Sequence, residues 1–263
     1  MAAEIKVIVS GALGKMGQQT AQAVHQDEEL QLVGLIDVRA REGQTGGTAG
    51  MPLPVENDLE NWLERFPADV MIDFTNPQAV YNNAKIALQH KVNCVIGTTG
   101  LNEVELKQLE RFALENEVGV AVIPNFAIGA VLMMKLAQEA ARYFPDVEII
   151  ELHHDQKMDA PSGTAIKTAE MIAEQRQTRP PRNSLEFEKI AGARGGEMNG
   201  IRIHSVRLPG FVAHQEVIFG GTGQTLSIRH DSLDRVGFMP GVVMTAKKII
   251  GIKGLVYGLE KLL

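Results

Sequence analysis

Cysteine is almost missing from this 263-residue chain, in which Cys94 stands alone. A single thiol excludes any intrachain disulfide and suits a reducing compartment, the cytoplasm being the expected one. An excess of positive charge is missing too. Against 26 Lys and Arg stand 32 Asp and Glu, a net charge of −6. Proteins that bind nucleic acid usually carry a basic face, so no nucleic-acid partner is expected. A local basic pocket for a small anion remains compatible with this balance. Long apolar runs are lacking as well, so no membrane span is expected. The most apolar stretch, 119–134, carries Pro124 and Asn125 in its middle and reads as a buried strand followed by a helix. The N-terminus has no basic region ahead of an apolar one, so no signal peptide is expected. Internal repeats and low-complexity tracts are also lacking.

What is present is an ordinary globular composition, 44% apolar and 22% charged, enough for one large domain or two modest ones. The first half alternates strand-like and helix-like segments. Strands are expected over 5–9, 30–36, 70–74, 92–96 and 118–123. Helices are expected over 14–25, 77–90 (opened by Pro77) and 102–116. This β-α-β rhythm implies a parallel, doubly wound sheet. The rhythm changes after Pro124. One long helix is expected over 127–144, a strand over 147–153 and a helix over 162–176. A polar loop should follow over 177–184, with another at Gly195-Gly196. Antiparallel strands are expected over 201–207, 214–219 and 225–230, the last two joined by a turn at Gly220-Gly221-Thr222-Gly223. A closing helix over 238–250 returns to the first domain. The class is therefore α/β: a dinucleotide-binding domain of residues 1–124 and 235–263, and an α+β open-sheet domain of residues 125–234.

Gly11-Ala12-Leu13-Gly14-Lys15-Met16-Gly17 follows the first strand and opens the first helix. Glycines let the backbone turn tightly and approach a pyrophosphate, which the free N–H groups of the helix start can bind. Asp37 ends the second strand, 20 residues after Gly17, where an acid can accept bonds from adenosine ribose hydroxyls. Asp37 favours NADH, whereas Arg39 and Arg41 could clamp the extra phosphate of NADPH. Either cofactor fits. Phe74-Thr75-Asn76-Pro77 and Gly97-Thr98-Thr99-Gly100 leave other strand ends on the same side and suit a nicotinamide ribose and carboxamide.

The densest polar cluster runs from Glu151 to Thr164. It begins at a strand end and finishes at a helix start. Strand alternation sends His153 and Asp155 to one face and His154 to the other. A histidine can deliver a proton near neutral pH, and Lys157 adds a cation. Ser162-Gly163-Thr164 offers a hydroxyl and N–H groups at a helix N-terminus, a ready carboxylate site. Zinc ligation by His153, His154 and Asp155, with His204 or His214, is the weaker alternative because adjacent strand residues diverge; no metal is expected. Tyr81 and Lys85 match the Tyr-x-x-x-Lys pair of short-chain dehydrogenases but read as helix surface. Cys94 reads as core.

Glu151–Ala165 reads E-L-H-H-D-Q-K-M-D-A-P-S-G-T-A and closely resembles the signature E-x-H-H-x-x-K-x-D-A-P-S-G-T-A of the dihydrodipicolinate reductase family. Gly11–Gly17, Phe74-Thr75, Gly97–Gly100, Pro124-Asn125-Phe126 and Gly200-Ile201-Arg202 also fit, so the resemblance spans nearly the whole chain. It implies NAD(P)H-dependent reduction of 4-hydroxy-tetrahydrodipicolinate to tetrahydrodipicolinate with loss of water, on the diaminopimelate route to lysine. It implies that His153 is the acid/base residue. It makes Lys157 a second catalytic group which, with His154, Gly163 and Thr164, holds the carboxylates of a small dicarboxylate substrate. Arg235 matches more loosely an arginine that reaches the same pocket. Asp37 and Arg39 fall where the family reads the adenosine ribose or its phosphate. Pro124, Asn125 and Phe126 fall on the cofactor side, where Ala127 replaces a serine common in the family. The implied fold is a Rossmann-type domain plus an open mixed-sheet domain that binds substrate and assembles a homotetramer. Domain closure, hinged near Pro124-Asn125 and residues 232–235, is the expected way of excluding water.

Overall fold

A computed structural model describes residues 4–48, 51–176 and 187–263; the polar loop expected over 177–184 lies outside them. The chain divides into two units, Met1–Ala127 with Phe238–Leu263, and Ile128–Gly237. In chain order the first elements are β1 (Ile5–Ser10), α1 (Lys15–Gln26), β2 (Leu30–Ile36), β3 (Thr45–Thr48), β4 (Met51–Glu56), α2 (Leu59–Arg65) and β5 (Val70–Asp73). There follow α3 (Val80–Gln89), β6 (Asn93–Ile96), α4 (Glu103–Glu115), β7 (Gly119–Val122), α5 (Ile128–Ala140), β8 (Asp146–His153) and α6 (Gly163–Gln175). The chain ends with β9 (Gly196–Met198), β10 (Ile201–Arg207), β11 (Ala213–Gly221), β12 (Gln224–Ser232), α7 (Met239–Ile249) and β13 (Gly254–Tyr257). Among the described residues, no helix is long and apolar enough to cross a membrane.

The first unit is built on a sheet of order β13-β7-β6-β5-β1-β2-β4-β3, parallel except for β3 against β4. β5, β6 and β7 are buried along their whole length, as strands covered on both faces must be. β1 lies between β2 and β5. The chain order reverses there, and the carboxyl ends of such strands form a crevice for ligands. The sequence pattern missed β3, β4, α2 and β13. β4 carries Pro52 and Pro54, which argue against a strand, but at those positions β4 pairs only with the edge strand β3. Helix α3 starts at Val80 rather than at Pro77. Pro77 belongs to a turn in which the Asn76 side chain accepts bonds from the amides of Gln78 and Ala79, at 3.0 and 3.1 Å.

The second unit has a sheet of order β12-β11-β8-β10-β9. The strand expected over 201–207 to run antiparallel does so against β9 but is parallel to its other neighbour β8. Helix α6 forms the crossover between β8 and β10, so both strands end on the same side. Helix α5 stops at Ala140 rather than at residue 144; Phe144 instead packs on Phe219, ring centroids 6.2 Å apart. Burial alternates along β8, with Val147, Ile149 and Glu151 inside. Helix α6 packs on the buried face of β8, while α5 packs against β11 and β12. Glu151 is the one acid on that face of β8, and its position organises the site.

Candidate active site

Parallel pairing sets Arg207 beside His153 and Ser205 beside Glu151 at the ends of β10 and β8. Alternation turns Glu151 and His153 to the same face. Glu151 is fully buried. Its Oε2 lies 2.5 Å from His153 Nδ1. Arg207 grips both carboxylate oxygens, Nη1 on Oε2 and Nη2 on Oε1, each at 2.7 Å. The Ser162 amide donates to Oε1 at 3.2 Å. Burial alone would raise this carboxyl's pKa. The hydrogen bonds from His153, Arg207 and Ser205 outweigh it and hold the group down to about 2. The carboxylate is therefore ionised at neutral pH and can only accept. It follows that Nδ1 of His153 carries a proton, and that Nε2, which has no hydrogen-bond partner among the described residues, is the available nitrogen.

The loop after β8 brings the remaining polar groups close in sequence and bonding. Lys157 Nζ donates to both Asp159 oxygens, at 2.7 and 2.8 Å, which lowers the Asp159 pKa. Arg207 Nη2 also donates to the Asp159 carbonyl at 2.7 Å. The Ala160–Pro161 peptide is cis. Ser162 is buried, and its hydroxyl accepts from the Ala165 amide at 3.2 Å, so it serves α6 as N-cap. A side chain added at Gly163 would meet nothing within 4 Å, so the start of α6 is open to an incoming group. His154 is exposed, and its carbonyl accepts from the Lys157 amide at 3.2 Å. The Thr164 carbonyl accepts from the Thr168 hydroxyl at 2.7 Å. Arg235 is exposed, and no hydrogen bond or ion pair links it to this cluster.

In the first unit a groove of about 760 Å³ runs along the strand ends, lined in part by Ser10, Gly11, Gly14, Asp37, Arg39, Phe74 and Thr75. Gly11 has φ +81°, and a Cβ there would come within 2.4 Å of the Phe74 carbonyl oxygen. At Gly17 a Cβ would lie 2.1 Å from the Gly11 carbonyl oxygen. Gly14 precedes α1 with no side-chain cap and no acid in the first turn, which leaves the amides around Lys15 and Met16 available to an anion. The Ala12 and Gly11 amides bond back to the Ile36 carbonyl. Asp37 is buried. It accepts from the Leu13 amide at 3.0 Å and from Arg39 Nε and Nη2, both at 2.9 Å. The bond from Arg39 holds its carboxyl below the usual range against the opposing effect of burial. These features fit a dinucleotide: a tight glycine turn, open amides, and an acid–arginine pair at the second strand.

A second buried acid, Asp73, ties the neighbouring loops together. Its Oδ1 accepts from the Thr75 hydroxyl and the Thr98 hydroxyl, both at 2.7 Å. Its Oδ2 accepts from Asn83 at 2.9 Å, and Asn83 also reaches Ser10. Gly97 has no room for a side chain because the Phe74 ring fills the space; Thr99 is exposed. Phe74 packs on Phe126 with centroids 5.7 Å apart. Pro124 is exposed, and Asn125 accepts from the Ala127 amide at 2.9 Å. Tyr81 donates to Gln108 at 2.5 Å, and Lys85 lies over the Phe112 ring at 5.8 Å; both serve helix packing. Cys94 is buried, which pushes its thiol pKa up. The sequence reading missed Glu151, Arg207 and Asp73 as site members. The spacing of Glu151 and His153 on one strand was a usable signal. Nothing local pointed to Arg207.

A Rossmann-type unit with an open glycine turn, followed by a mixed-sheet unit with a buried Glu-His-Arg cluster, defines a two-unit oxidoreductase that uses a pyridine nucleotide. The family model described as dihydrodipicolinate reductase, N-terminus, matches residues 5–126, and that for the C-terminus matches residues 129–263. The chain belongs to the dihydrodipicolinate reductase family. A 4-hydroxy-tetrahydrodipicolinate reductase of Syntrophomonas wolfei is 65% identical over 100% of both chains. One from Desulfitobacterium hafniense is 53% identical over 99% of each. The solved structure of a dipicolinate-bound dihydrodipicolinate reductase from Paenisporosarcina sp. TG-14 superposes with a TM-score of 0.90 at 48% identity, covering 99% of this chain and 100% of that one.

Proposed function

We propose that this protein reduces 4-hydroxy-tetrahydrodipicolinate to tetrahydrodipicolinate with loss of water, the step that serves the diaminopimelate route to lysine. The observation that carries this reading is the His153 imidazole. Its Nδ1 is committed to a buried anionic carboxylate and its Nε2 has no partner among the described residues, and the loop that follows it carries Lys157 and ends at an open helix start. The names of the relatives and the dipicolinate held by the Paenisporosarcina protein support the substrate class.

The substrate is a cyclic dicarboxylate, a dianion at neutral pH. Lys157, His154 and the amides of Gly163 and Thr164 hold its carboxylates, the amides with the help of the α6 dipole. For Lys157 to do so, an incoming carboxylate takes the place of Asp159 on its ammonium. Arg235 has no bond that ties it to this cluster, so its part in binding rests on the family resemblance alone. Loss of the 4-hydroxyl leaves a conjugated, electron-poor imine. A bound nicotinamide supplies the hydride that adds at C4. The resulting enamine takes a proton at C3 from Nε2–H of His153, a step for which the ring is the doubly protonated imidazolium with its Nδ1–H held by Glu151. Gly11–Gly17 hold the pyrophosphate. Thr75 and the Gly97–Thr99 turn, with Phe74 and Pro124–Phe126, shape the nicotinamide side. The Asp37–Arg39 pair accepts either cofactor, the acid through ribose hydroxyls and the guanidinium through the 2′-phosphate of NADPH.

We also propose self-assembly into a homotetramer through the second sheet. The face opposite α5 and α6 carries Ile150, Leu152, Val206 and Ile218, all half-buried; among the described residues no helix covers it, and such a sheet face is a candidate for a second copy. The lone buried Cys94 suits a cytoplasmic setting.

The catalytic reading is tested with His153→Gln in steady-state assays following cofactor oxidation. Turnover should fall about 100-fold or more with KM little changed. Wild-type turnover in that variant would remove the proton-donor role.

A further inference from the structure

We infer that Glu151 and Arg207 are positioning residues that fix His153 and the substrate-binding loop as one rigid assembly; this rests on the acid/base reading of His153. Hydrogen bonds from both sides of the loop and from β10 meet at the Glu151 carboxylate. Oε2 takes the His153 ring, Oε1 takes the Ser162 amide, and Arg207 takes both oxygens. Glu151 is thereby bound to residues on either side of the loop that carries Lys157, with His153 before it and Ser162 after it. Arg207 adds a third tie from β10, through the Asp159 carbonyl. A two-pronged guanidinium fixes the plane of the carboxylate. The plane of the carboxylate in turn fixes the imidazole.

The consequence is a fixed ring. An ionised carboxylate has no proton to offer, so the ring must present N–H at Nδ1, and the proton it delivers to the substrate is the one the imidazolium carries at Nε2. Without Glu151 the ring could turn or change tautomer, and a proton donor misplaced by about 1 Å loses on the order of 100-fold in rate. The same carboxylate holds Ser162, the N-cap of the helix whose amides face the open side. Proton donor and anion cradle are set by one group. A role in folding alone would not control the state of the ring, and this separates the two possibilities.

The test combines kinetics with NMR of the full-length protein labelled with ¹⁵N-histidine. The wild type should show a strongly downfield Nδ1 proton that is missing in His153→Gln, which assigns it. In Glu151→Gln that signal should move upfield or vanish, and kcat should fall about 100-fold with KM changed less than about threefold. Arg207→Lys keeps the charge and loses the two-pronged grip. It should weaken the same signal and lower kcat about tenfold, and it decides the matter should Glu151→Gln fail to fold. A Glu151→Gln or Arg207→Lys protein with wild-type kcat and an unmoved Nδ1 signal overturns the positioning role, while an inactive His153→Gln leaves the acid/base reading standing. Wild-type turnover in His153→Gln overturns that reading and the inference with it.

Discussion

Glu151 and Asp37 are both buried carboxylates held by an arginine, yet they carry different consequences. Glu151 sits near pKa 2 in the fold, against 4.5 for an ordinary glutamate. A carboxyl lowered on folding contributes stability that is complete above 4.5 and is lost as pH falls towards 2. The contribution is on the order of 3 kcal/mol. Urea unfolding of the wild type and Glu151→Gln should therefore differ most at neutral pH, with the difference shrinking across that acid window. Asp37 is shared between Arg39 and the Leu13 amide, so it shapes the glycine turn as well as the ribose end of the groove. Arg39 is the exposed partner and can leave. Arg39→Ala should raise KM for NADPH about tenfold and leave KM for NADH nearly unchanged, measured with both cofactors side by side.

At the scale of elements, the β1–α1 turn was legible because its requirements are local. Gly11 takes a positive φ and Gly17 touches the turn directly, and only glycine meets both demands cheaply. Gly17→Ala should abolish measurable cofactor binding by calorimetry, since its Cβ cannot fit against the Gly11 carbonyl. The helix boundaries were legible within a few residues where a cap marks them. Asn102 closes a capping box with Glu105 at the start of α4. β3, β4 and β13 were not legible. Each is short, and each is a strand only because a neighbour supplies its hydrogen bonds. The parallel pairing of β10 with β8 was missed for a related reason: alternation along a strand says which residues share a face but not which way its partner runs.

At the scale of the whole molecule, the chain leaves its first unit after Ala127 and returns to it at Phe238. The returning helix α7 buries Val242, Ala246 and Ile249, and β13 completes the sheet beside β7. The sheet of the second unit has helices on one face. If its other face meets copies of this chain, Ile218→Glu should lower the assembly state by light scattering while each monomer keeps its helix content by circular dichroism. An unchanged mass would remove the assembly proposal.

By itself the sequence determined the class of fold, the glycine turn and the run from Glu151 to Thr164, because strand alternation, helix starts and turn glycines are decided within a few neighbouring residues. Only the tertiary structure decided that Arg207, 56 positions from Glu151 along the chain, would be its partner. It also decided that Asp73 would bind loops from two different crossovers. Those pairings depend on which strands lie side by side and in which direction, and that choice belongs to the packing of the whole sheet rather than to any local stretch of residues.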